Sequence, residues 1–173
     1  KPPHAFAATG DAIVSVRGLS KIYAGGFQAL KNIHLDIHRG EIFALLGPNG
    51  AGKTTMISIL AGLTRATEGS VRVLGHDVVS DYAAARKALG IVPQELVFDP
   101  FFSVREALRI QSGYFGVRHN DDWIDELLAN LGLADKAGVL ASSLSQVELR
   151  KMELARAMAA RPRLLISDEA MAG

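Results

Sequence analysis

The chain has 173 residues, 49% hydrophobic and 21% charged, enough to bury one sizeable core. Its 19 Lys and Arg against 18 Asp and Glu leave a formal net charge of +1, which demands neither nucleic acid nor an anionic membrane surface as partner. There is no cysteine, which excludes disulfides, thiolate metal sites and cysteine nucleophiles and suits a reducing compartment.

No apolar run reaches the roughly 18 to 20 residues that span a bilayer, and the opening KPPHAFAATG lacks the apolar core of a signal peptide. Residues 1–11 read as a flexible tail and 12–173 as one domain. The β-branched, alternating runs AIVSVRGLSKIY and ALKNIHLDIH, broken by AGG and HRG, predict two strands. A third is expected at EIFALL, whose continuous apolarity favours a strand covered on both faces. Next come a helix over 52–61, a strand at SVRVLG, a helix near DYAAARKAL and a short strand LGIV. This alternation indicates an α/β fold. SVREALRIQSGYFG then opens with a capping box from Ser103 to Glu106, and DDWIDELLANLG is amphipathic and closed by Gly132, which together read as a helical insertion. A long helix over 146–160 leads into RLLISDE, expected to be a buried strand that ends in acids.

GPNGAGKTT fits the pattern of Gly, four residues, Gly, Lys and Thr at Gly47, Gly52, Lys53 and Thr54, between a predicted strand and a predicted helix. In such a loop Gly47, Pro48, Asn49, Gly50, Ala51 and Gly52 curl the backbone so that successive N–H groups, with the helix N-terminus and Thr55 behind them, surround phosphates. Lys53 reaches the β and γ phosphates, and the Thr54 hydroxyl can ligate Mg²⁺. At the other end of the chain, LLISDE carries Asp168 and Glu169 to the C-terminal edge of a sheet, where open α/β folds hold their ligands. Alone, two such acids are also an ordinary helix cap or solvated turn. Paired with the phosphate loop, Asp168 suits Mg²⁺, and Glu169 suits the polarisation of the water that attacks the γ phosphate.

With VPQE between them, the phosphate loop (Walker A) and the acidic strand end (Walker B) resemble the nucleotide-binding domain of ABC ATPases, over residues 13–173. The resemblance implies a P-loop fold with a parallel core sheet, an N-terminal antiparallel β subdomain and a helical subdomain over about 95–160. It implies ATP and Mg²⁺ as cofactors. By the same resemblance Gln94 is the glutamine that contacts Mg²⁺ and the attacking water, and Tyr23 in SKIYAGGFQAL is the aromatic on which adenine stacks. A lone glutamine after a strand is also often a plain surface residue, and a strand tyrosine a core residue. The family's signature, typically Leu-Ser-Gly-Gly-Gln, binds the γ phosphate held by a second ATPase domain. Here the segment is Leu144, Ser145, Gln146, Val147 and Glu148, with both glycines replaced. Ser145 and Glu148 also form a capping box pattern, so a variant signature and a simple helix cap both fit.

Three further departures stand out. Ala170 and Met171 replace the usual proline and threonine or serine, Ser167 takes an apolar strand position, and the sequence stops at Gly173, ahead of the family's aspartate loop and histidine switch. This stretch alone is therefore expected to hydrolyse ATP slowly or not at all. His4, His34, His38, His76 and His119 precede the acids and read as surface histidines. Most of the chain looks like the ATPases of ABC-2 type exporters, whereas LSQVELRKMELARAMAARPRLLISDEAMAG is similar to branched-chain amino acid importer ATPases. The resemblance implies a separate membrane permease, a second ATPase domain in a homodimer, no nucleic acid partner, and a place on the cytoplasmic face of the membrane. A ribosome- or DNA-acting ABC ATPase and a degenerate, regulatory nucleotide-binding domain are the alternatives from other classes.

Overall fold

The computed structural model describes residues 12–45 and 52–168, so the expected tail, most of the phosphate loop and the residues after Asp168 lie outside the described residues. The chain falls into two compact units, within 1–86 and 87–173.

In the first unit, β1 (Ala12–Ile22) and β2 (Gln28–His38) form the expected antiparallel pair. They join β3 (Glu68–Val73) and β4 (His76–Asp77) in a four-stranded antiparallel sheet of order β2-β1-β3-β4. Val14, Val16 and Leu19 of β1 are fully buried, a spacing that breaks strict alternation. The register shift between Val16 and Leu19 explains it, because an extra residue in one strand flips the faces that follow. Helix α1 (Lys53–Leu60) packs on β2 and β3 and buries Met56, Ile59 and Leu60.

The described part of EIFALL, residues 41–45, does not behave as expected. Residues 41–45 carry no strand, Ile42 is fully exposed and Phe43 and Leu45 are well exposed. An apolar run specifies a wish for burial and leaves the pairing partner open, and among the described residues no ladder takes this segment up.

The second unit pairs β5 (Leu89–Val92) in parallel with β6 (Leu164–Ser167), in register from Leu89 with Leu164 to Val92 with Ser167. A short helix α2 (Tyr82–Lys87) precedes it in the chain. Burial along β6 alternates between intermediate and exposed, so the expected fully buried strand is half-covered among the described residues. Against this pair lies α5 (Gln146–Ala159), close enough that a Cβ at Gly90 would stand 2.5 Å from the Ala157 carbonyl oxygen. Only glycine permits that approach.

Helices α3 (Val104–Tyr114) and α4 (Asp121–Asn130) pack with α5 around Leu108, Ile124, Leu128, Leu133 and Met152, all at most 1% exposed. Burial of each such side chain stabilises by about 1.5–3 kcal/mol before the entropy of ordering is counted. The Ser103 capping box forms as expected, with Glu106 Oε2 accepting from the Ser103 N–H at 2.8 Å. The last carbonyls of α5 are satisfied from α4: Trp123 Nε1 donates to Met158 O at 3.1 Å and Asn120 Nδ2 to Ala159 O at 2.9 Å. Asn120 makes no side-chain cap for α4, and Asp121 and Asp122 in its first turn favour the helix N-terminus by charge. Asp121 also accepts both arms of Arg109 from α3, at 2.7 and 2.9 Å, which holds its carboxyl below the usual range.

Candidate functional site

In the first unit the site is built on the start of α1. Gly52 is buried and left-handed, with φ at 87°, and a Cβ there would stand 2.5 Å from the Ala29 carbonyl oxygen and 2.8 Å from Leu30 Cδ2. The chain can turn into the helix at this point only with glycine. Gly52, the N-cap of α1, has no side chain to cap the helix, and the first-turn N–H groups and the positive end of the helix dipole lie at this turn. Lys53 is half-buried there and Thr54 exposed.

Tyr23, in the turn between β1 and β2, reaches the same helix turn. Its hydroxyl lies 3.1 Å from Thr55 Oγ1. The turn is closed by Tyr23 N–H donating to Phe27 O at 2.8 Å. The Tyr23 ring, 39% exposed, stacks with Phe27 at 6.4 Å between centroids and 20° between planes. Lys21 Nζ stands 5.0 Å from its centroid and also donates to Arg65 O at 2.9 Å. Phe27, exposed and next to Tyr23, was not a residue that the motifs singled out.

The second unit brings Gln94 and Asp168 to one edge. Asp168 follows β6 directly, its N–H donating to Val92 O at 3.1 Å, and Gln94 comes two residues after the end of the adjacent parallel strand. This is the carboxyl end of a parallel pair, where α/β folds place ligands. The backbone at Gln94 is held by a residue the sequence did not flag: Arg150 of α5 donates to Pro93 O at 3.2 Å and to Gln94 O at 2.6 Å.

Ser145 occupies the N-cap of α5. Its hydroxyl accepts from Glu148 N–H at 3.3 Å, and Glu148 Oε2 accepts from Ser145 N–H at 2.8 Å. Hydrogen bonding to the carboxyl from the Ser145 N–H first, and then from the Ser145 side chain, keeps Glu148 below its usual range. Val147, 67% exposed, and Gln146, also exposed, put side chains where the family's glycines leave backbone bare.

Gly47, Pro48, Asn49, Gly50, Ala51 and Glu169 lie outside the described residues. Each unit by itself offers hard oxygens, the Thr54 hydroxyl in the first and the Gln94 side-chain carbonyl and the Asp168 carboxyl in the second, which is the donor chemistry that Mg²⁺ takes. Among the described residues no three His, Asp or Glu side chains converge on a metal site of their own, and no helix is long and apolar enough to cross a membrane.

The family model described as "ABC transporter" matches residues 30–172. Among known proteins, the chain is 39% identical over 164 residues to a Nod factor export ATP-binding protein I from Cupriavidus pinatubonensis, covering 94% of this chain and 50% of that protein. It is 37% identical over 169 residues to a methionine import ATP-binding protein from Symbiobacterium thermophilum, covering 91% and 50%. With the human phospholipid-transporting ATPase ABCA7 it shares 41% over 165 residues, 92% of this chain and 8% of that one. The chain thus spans about half the length of these bacterial relatives. A solved ATP-binding subunit of an ABC transporter superposes with a TM-score of 0.86 at 25% identity, covering 92% of this chain and 67% of that one. The subunit cbiO1 of Clostridium perfringens, part of a transporter complex, gives 0.77 at 27%, covering 92% and 66%. The fold is accordingly that of an ABC ATPase domain, a P-loop fold with antiparallel and parallel sheets.

Proposed function

The chain belongs to the ABC transporter family, and from that premise we propose that it binds and hydrolyses ATP to drive a separate membrane permease. The observation that carries the reading is the entry into α1: a buried, left-handed glycine whose place no larger residue can take, followed by the N–H groups of Lys53, Thr54 and Thr55 in the first turn. Those N–H groups and the Lys53 ammonium hold the β and γ phosphates. The exposed part of the Tyr23 ring takes the adenine by stacking. Bound Mg²⁺ supplies charge neutralisation at the phosphates, with Thr54, Gln94 and Asp168 as the residues of this chain suited to hold it, some through water. Glu169 accepts a proton from the attacking water, and Gln94 orients that water. Ser145 of a second copy donates its hydroxyl proton to the γ phosphate, so the working unit is a homodimer on the cytoplasmic face of the membrane.

For direction of transport we favour ABC-2 type export. The support is the run from KIYAGGFQALKNIHLDIHRGEIF to LGIVPQELVFDPFFSVREAL together with the 39% identity to an export protein. The importer reading rests on the segment after Leu144, and the 37% identity to a methionine importer keeps it in view. The test is gentle solubilisation of membranes from cells that carry the tagged full-length protein, followed by mass spectrometry. Co-purification of an exporter-type permease is the expected result. An amino-acid permease pair overturns the direction, and ribosomes or no membrane protein overturn the transporter reading.

A further inference from the structure

Among the described residues no ladder orients the segment after β5. Pro93 lacks an N–H and cannot continue the pairing with β6, and residues 93–100 form no regular element. The Arg150 guanidinium holds the backbone at Gln94, donating from Nη1 and Nη2 to two successive carbonyls, Pro93 O at 3.2 Å and Gln94 O at 2.6 Å. Those two contacts use the planar fork of arginine, which the single ammonium of lysine reproduces only in part. Arg150 belongs to a run of charged residues on α5. It sits five residues after Ser145 and one turn before Glu153, which is 1% exposed and accepts from Arg156 Nη2 at 2.6 Å. The three charges stand at i, i+3 and i+6 along one flank of α5, and the Arg150 charge acts favourably on the buried carboxylate.

We propose that Arg150 is a positioning residue, a clamp that fixes the backbone at Gln94 to the Ser145-capped end of α5 so that the two move as one body. The proposal rests on the reading above, in which both residues serve ATP. Its consequence is that Gln94 keeps the orientation water attack requires whenever the Ser145 end is in place, and that neither can shift without the other.

The test compares the full-length protein with its Arg150→Met and Arg150→Lys variants. Hydrogen–deuterium exchange of the peptide spanning 93–97 reads the clamp without reference to nucleotide, and steady-state kinetics with Mg-ATP reads its role in turnover. For Arg150→Met the account expects exchange in 93–97 to rise several-fold while α3 and α4 stay protected. It expects kcat to fall about tenfold with KM for ATP within about threefold. Arg150→Lys should recover part of both losses. Unchanged exchange in 93–97 overturns the clamp. So does a parallel loss of protection across α3, α4 and α5, which marks a merely structural role. A rise confined to 93–97 in a protein that neither binds nor hydrolyses ATP keeps the clamp and overturns the ATPase reading instead.

Discussion

The hydroxyls of Tyr23 and Thr55 share a hydrogen bond of 3.1 Å that ties the β1–β2 turn to the first turn of α1. The base-stacking candidate is thereby anchored to the helix whose N-terminus is the phosphate candidate. Tyr23→Phe keeps the ring and loses the bond, a net change of about 1 kcal/mol. ATP affinity, measured by isothermal titration calorimetry, is expected to fall by about fivefold for Tyr23→Phe and by considerably more for Tyr23→Ala. Equal effects of the two substitutions would remove the ring from the account.

Gly52→Ala is expected to abolish nucleotide binding. The added Cβ must displace the Ala29 backbone in a left-handed conformation that alanine resists, at a cost of about 1–3 kcal/mol from the backbone alone. Thermal unfolding and nucleotide titration together check it. A stable variant that binds ATP normally would show that this turn is not part of the site.

At Ser145 the two roles can be separated. Ser145→Ala removes the N-cap and should cost about 1 kcal/mol of stability. Ser145→Asn restores a cap acceptor but not the hydroxyl. If Ser145 serves the second copy's nucleotide, the Asn variant unfolds like the wild type yet turns over ATP at least tenfold more slowly; wild-type turnover would leave Ser145 as a cap alone.

Glu153 gives a pH signature. Burial raises its carboxyl, and the attraction of Arg156 and Arg150 offsets this only in part. Between the ordinary glutamate value and the raised one, the folded state holds more protons than the unfolded state, so stability from this group falls as pH rises through that window. The penalty is absent below the window and complete above it. Asp36, Asp77, Asp121, Glu106 and Glu148, all held low by hydrogen bonds, act oppositely and lose stability as pH falls through their depressed values. Denaturant unfolding between pH 4 and 8 should therefore show a more positive stability slope in Glu153→Gln than in wild type; identical slopes contradict the assignment.

The contrast between what the residues foretold and what they did not is physical. Periodicity placed β1, β2, α1 and α5 within a residue or two because each carries its own face pattern, and Ser103 and Ser145 announce their helices by the acid three positions on. Residues 41–45 of the EIFALL run carry no strand, because apolarity says nothing about which backbone will pair with it. Arg150 was illegible for another reason: its partner Gln94 is 56 residues away, and the bond is to a carbonyl that every residue carries. Glu153 in LRKMELARA reads as a surface charge, and only the packing of α3, α4 and β5 around α5 buries it.

The most direct test of the central claim is Mg-ATP turnover by the full-length protein and its Glu169→Gln variant, with nucleotide binding measured alongside. The account predicts that the variant keeps ATP affinity within a few-fold while kcat falls by about a hundredfold or more. Turnover that is unchanged by Glu169→Gln, or a wild-type protein that binds no ATP, would contradict it.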